Sequence, residues 1–77
     1  MKLPRDTSAE ELIKFLSKFD YQVSRQRGSH IRLTRISDTG NHSITIPNHN
    51  PIKIGTLANI LNDISTHLGI PREKILG

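Results

Sequence analysis

The hydrophobic period of this chain changes twice, and that change constrains the fold more than any other feature. Ala9, Leu12, Ile13, Leu16 and Phe19 recur at helical spacing and make one apolar stripe. Ser8 and Glu11 stand at the spacing of a capping box, where each side chain satisfies an otherwise unpaired amide at a helix start. A helix is therefore predicted from about Ala9 to Phe19. The period then drops to two. Tyr21-Gln22-Val23-Ser24-Arg25 alternates apolar and polar residues, Gly28-Ser29 signals a turn, and His30 to Ile36 alternates again. Asp38-Thr39-Gly40-Asn41 marks a second turn, and Ile44 and Ile46 supply the inner face of a third strand that ends at Pro47, which has no amide to donate. After the rigid polar loop Pro47-Asn48-His49-Asn50-Pro51, helical spacing returns with Leu57, Ile60, Leu61, Ile64 and Leu68. That second helix is predicted to begin within Lys53 to Thr56 and to stop at Gly69, with a last short helical turn in Pro71 to Leu76.

Two apolar helices and one apolar sheet face combine as an α+β, two-layer sandwich in the order α-β-β-β-α. Short hairpins make the three-stranded sheet antiparallel. The 77 residues are expected to form one domain over 1–77, small enough that only about 60% of the extended surface is buried. Strict alternation assigns Gln22, Ser24, His30, Arg32, Thr34, Ser43 and Thr45 to the uncovered face. The same alternation places Arg25 and Arg27 on the Val23 side, so they must either reach round the sheet end or be re-aimed by a bulge at Gly28.

Charge narrows the function classes. Eleven Lys and Arg against seven Asp and Glu give a formal charge of +4, which favours a polyanionic partner, nucleic acid first. Arg25, Arg27, Arg32 and Arg35 fall in one run without an acid, whereas the acids gather mainly in the helical segments. A solvated strand pair that carries arginine is the alternative reading of that run. No cysteine is present, so disulfide frameworks and thiolate metal sites are excluded, and a cytoplasmic location is the expectation. No apolar run follows the charged start, and none approaches the ~20 residues of a membrane span.

Arg25-Gln26-Arg27-Gly28-Ser29-His30 is the most informative stretch. Cleaving RNA without a metal requires deprotonation of a 2′-hydroxyl and stabilisation of charge on the attacked phosphate. Histidine exchanges protons near neutral pH, and arginine supplies a fixed cation with forked donors. The alternative is that His30 simply ends a strand and donates to a carbonyl. Gly28 suits a tight or left-handed turn or the close approach of another backbone.

This run, followed by Ile44-Thr45-Ile46-Pro47-Asn48-His49 and Lys53-Ile54-Gly55-Thr56-Leu57, resembles the HicA family of toxins. The opening Lys2-Leu3-Pro4 and the segment Glu10-Glu11-Leu12-Ile13 share the likeness, which covers nearly the whole chain in order. The resemblance implies a double-stranded-RNA-binding-domain-like fold, ribosome-independent mRNA cleavage and inhibition by a HicB-type antitoxin. The family's catalytic histidine matches His30. Arg25, Arg27, Ser29, Arg32 and Lys53 are then the expected RNA contacts, with mRNA and the antitoxin as partners and no metal, small-molecule cofactor or membrane. The chain departs from many relatives in two places. Ile31 and Leu33 stand where an aromatic residue commonly follows the histidine, and Ile54 stands where proline commonly precedes the glycine.

The other histidines carry less. His49 either faces substrate or hydrogen-bonds within its loop. His42 shares parity with Ile44 at a strand margin, and His67 lies off the apolar stripe, exposed. Zinc at His42 and His49 is disfavoured, since neither cysteine nor a nearby carboxylate accompanies them. Gly55 fits either a phosphate at a helix start or close packing. Two other function classes stay open at this point: a non-catalytic RNA-binding module of the same fold, and an adaptor whose cationic sheet docks an acidic protein.

Overall fold

The computed structural model describes residues 6–75, so the Lys2-Leu3-Pro4 segment and Leu76 lie outside the described residues. The elements are α1 (Ala9–Ser17), β1 (Tyr21–Arg27), β2 (His30–Ser37), β3 (Gly40–Pro47), α2 (Ile54–Leu68) and a 3-10 turn over Arg72–Lys74. The sheet order is β1-β2-β3, antiparallel throughout, with β2 in the centre. Both helices cover the same face, α1 against β1 and α2 against β3. The expected α-β-β-β-α sandwich is the observed one.

Local chemistry accounts for the boundaries. At the start of α1 the Glu11 amide donates to Ser8 Oγ at 3.1 Å, while the Ser8 amide donates to Glu11 Oε1 at 3.4 Å, completing the reciprocal cap. The helix ends at Ser17, earlier than its apolar stripe implies, because Phe19 belongs to the turn and reaches the core from there. Asp20 takes φ 70° in that turn, a conformation Asp tolerates better than most side chains. Gly69 closes α2 at φ 70°, its amide donating to the Ser65 carbonyl at 2.8 Å.

The core joins Leu12 and Leu16 of α1 to Leu57, Leu61 and Ile64 of α2 over Tyr21, Ile31, Leu33, Ile44 and Ile46 of the sheet. Ile52 and Ile75 seal the ends. At this size each contact counts, since total stability is a small difference between large terms.

One polar network runs from the interior of the sandwich to its exposed edge. Tyr21, fully buried, places its hydroxyl 2.6 Å from His42 Nδ1, and His42 Nε2 lies 3.1 Å from Asp63 Oδ1 on α2. The consistent proton arrangement has the Tyr21 hydroxyl donating to Nδ1 and the Nε2–H donating to Asp63. His67 stacks on the His42 ring at 4.1 Å between centroids. His42 thus sits at the strand margin on the inner face, and Asp63 supplies the nearby carboxylate that the sequence does not reveal. His67 is exposed, as expected, but its ring rests on His42.

Burial pushes the Tyr21 phenol above its ordinary value of 10.0. The folded state therefore holds that proton more tightly than the unfolded chain. The associated stability is complete below pH 10 and is lost as pH rises through the folded-state value. Tyr21→Phe is expected to flatten this alkaline decline in melts recorded against pH. At neutral pH it should cost about 1 kcal/mol for the lost hydrogen bond.

Candidate nucleic-acid interface and catalytic centre

Cross-strand pairing decides which side chains share the open face. His30, the first residue of the central strand, pairs with Arg27 on one side and Pro47 on the other. Arg32 pairs with Arg25 and with Thr45 in the next same-facing row. Paired residues project to the same side of a sheet, with Cα atoms about 4.5–5.5 Å apart, and same-facing residues along a strand repeat at about 6.7 Å. Arg25, Arg27, His30 and Arg32 therefore form a compact two-by-two block.

This grouping depends on a bulge. The register shifts between Val23 and Arg25, so that Ser24 and Arg25 together oppose Arg32. The extra residue restores Arg25 and Arg27 to the outer face. The expectation of a bulge at Gly28 is corrected, because the shift lies at Ser24, upstream in the same strand. Gly28 instead serves the hairpin turn at φ 58°, and a Cβ there would meet nothing within 4 Å, so no backbone approaches it closely.

Ser24 also begins a hydroxyl ladder across the sheet. Its Oγ lies 2.8 Å from Thr34 Oγ1, which lies 3.0 Å from Ser43 Oγ. These links pin the three strands together beside the cationic block. Arg35 leaves the arginine group altogether. It pairs with Tyr21 and His42 on the helix side, and its Nε donates to the Phe19 carbonyl at 3.0 Å.

All four members of the block are exposed, and among the described residues none of the three arginines joins an ion pair. Their charge is available to a ligand. Asp20 and Asp38 lie at the opposite end of the strands, so the sheet face is polarised along its length.

The remaining expected contacts are placed apart from the block. Ser29 occupies the β1–β2 turn, where its carbonyl accepts from the Asn48 amide at 2.6 Å and ties the hairpin to the loop after β3. Lys53 is exposed at the N-cap of α2, beyond that loop, with no side-chain cap. His49 contributes its backbone, its carbonyl accepting from the Ala9 amide at 3.1 Å, while its side chain is exposed. A Cβ at Gly55 would meet nothing within 4 Å, which removes close packing as the reason for that glycine. Among the described residues no three His, Asp or Glu side chains are grouped to hold a metal ion, and no helix is long and apolar enough to cross a membrane.

The family model described as the HicA toxin of bacterial toxin-antitoxin matches residues 9–65, about three quarters of the 77 residues. The chain belongs to the HicA toxin family. Neither a curated protein nor a solved structure gives a significant match. Membership assigns a role in a toxin–antitoxin system and hence an antitoxin partner. The match spans β1, β2 and β3 and most of α2, so it contains the whole block around His30.

Release of condensed counterions gives single-stranded RNA binding a log–log salt slope of about −0.7 per neutralised phosphate. If the block is where single-stranded RNA binds, its three cations give a slope of about −2. Arg25→Gln should weaken that slope by about 0.7, whereas Arg35→Gln, on the other face, should leave it unchanged. Binding isotherms from low to moderate salt measure both.

Proposed function

We propose that this HicA-family toxin is a metal-independent endoribonuclease that cleaves mRNA, with His30 as its general acid/base. The observation that carries this reading is the position of His30. It is an exposed imidazole on the central strand, with Arg27 beside it and Arg25 and Arg32 in the adjoining row. Histidine is the side-chain type suited to proton transfer near neutral pH, and the surrounding guanidinium groups offer fixed charge where a phosphate would lie.

In this mechanism His30 takes the proton from a 2′-hydroxyl. The 2′-oxygen attacks the adjacent phosphorus, the bond to the 5′-oxygen breaks, and a cyclic phosphate remains. The 5′-oxygen takes a proton from the solvent to which the site is open, and the protonated His30 returns its own proton to that solvent. Arg27 and Arg32 hold the non-bridging oxygens as charge grows on them, and Arg25 holds a neighbouring phosphate. Ser29 and Lys53 contact the RNA as it leaves the sheet over the loop that their backbones flank. A HicB-type antitoxin covers the same open face, its acidic groups complementing the arginines.

Because His30 moves protons while other residues hold RNA, His30→Ala should separate the two. Cleavage should fall by about 10²- to 10⁴-fold. Stability should change by no more than about 0.5 kcal/mol, as for ordinary surface substitutions. RNA affinity should stay within a few-fold, and expression should no longer arrest growth. The assays are a thermal melt, binding at fixed salt, and cleavage with chelator present. Cleavage by His30→Ala at the parent rate contradicts the assignment, and cleavage abolished by chelator in the parent protein contradicts metal independence.

A further inference from the structure

The open face holds a second feature, at the far end of the strands from His30. Asp20, Gln22, Ser24, Thr34 and Ile36 line a shallow depression of about 310 Å³. Thr34 and Ile36 continue the same-facing row that begins with His30 and Arg32, and Gln22 pairs with Thr34. From His30 to Thr34 is about 13 Å along β2. The cationic block and the depression therefore lie on one continuous track, the first basic and the second without a cation and lined by a single acid, Asp20.

The lining has the character of a base-reading site rather than a phosphate site. Ile36, one of the lining residues, is 77% exposed and offers an apolar surface against which a flat ring can lie. The Ser24 and Thr34 hydroxyls bond to each other at 2.8 Å, which fixes the wall between them. Asp20 is exposed and joins no ion pair among the described residues. Its positive φ sets the direction from which its side chain leaves the turn. A carboxylate here would repel phosphate, yet it accepts hydrogen bonds well from a base edge.

We propose that this depression is a nucleobase subsite selective for guanine, a few nucleotides from the scissile phosphate. The inference rests on the open face being the RNA-cleaving face, and it adds which base that face reads. A carboxylate only accepts, so the base it favours is the one that presents adjacent donors. Guanine alone offers N1–H and the N2 amino group side by side, suited to bidentate pairing with Asp20. Gln22 supplies the amide donor for guanine O6. Adenine, cytosine and uracil each leave one carboxylate oxygen without a donor.

The test uses the full-length chain in two arms. In the first, the His30→Ala protein binds short RNAs that differ only in whether one position is guanine or adenine. In the second, the parent protein cuts a randomised RNA pool and the cut sites are sequenced. A guanine preference of roughly 10-fold is expected in binding, in line with one bidentate base contact. Guanine enrichment is expected at a fixed offset from the cut. Asp20→Asn, which keeps a side chain tolerant of positive φ, should abolish both preferences while a melt confirms the fold. Gln22→Ala, at an exposed position, should reduce them. Cutting with no base preference overturns the subsite and leaves the nuclease intact. Guanine-dependent binding without any cutting does the reverse. Equal binding of all bases, or no binding, overturns the subsite, as does a preference that survives both substitutions.

Discussion

Everything at the proposed site depends on the register of three paired strands. A residue shifted by one position along β1 would face the helices instead of the open side. The Ser24 bulge provides that shift once, between Val23 and Arg25. Without it the alternation that buries Tyr21 would carry Arg25 and Arg27 to the covered face. With it, both arginines join His30 and Arg32. The hydroxyl ladder ties the bulged Ser24 to Thr34 on β2 and, through Thr34, to Ser43 on β3, so the irregularity is held by hydrogen bonds.

The two faces of the sheet then divide their work by chemistry. The covered face takes the apolar residues and one satisfied polar network, Tyr21–His42–Asp63, that joins β1, β3 and α2. Tyr21 and His42 are engaged there by hydrogen bonds, Asp63 meets His42 from the exposed edge of α2, and His67 rests on the His42 ring. The open face keeps its polar groups available to a ligand. That separation lets substitutions on the two faces have different consequences, stability on one and, in the proposed function, RNA handling on the other. It also explains why Arg35 does not behave as part of an arginine cluster to which it is adjacent in sequence.

Much of the fold is legible in the sequence because each element carries its own local signal. The Ser8–Glu11 cap, the alternation through Ile31 and Leu33, and Gly69 after the α2 stripe all act over a few residues. The element order and the open face follow from them. Features set by long-range pairing are not legible. Glycine is the residue that commonly permits a bulge, which points to Gly28, whereas Ser24 carries no such mark. The partnership of His42 with Asp63 joins residues 21 apart in the chain, and the depression beneath Asp20 exists only once β1 and β2 are in register. His30 is singled out by its neighbours in sequence, and the register places three of those arginines on its own side.

On the proposed function, RNA lies on the open face, across the block formed by Arg25, Arg27, His30 and Arg32. Chemical-shift mapping of the His30→Ala protein, titrated with a short single-stranded RNA, measures this directly. Shifts are expected at Arg25, Arg27, Arg32 and the substituted position between them, and along Thr34 and Thr45, with Arg35, His42, Asp63 and His67 unmoved. Shifts centred on the helix face, or on Arg35 and His42 with the open face silent, would contradict it.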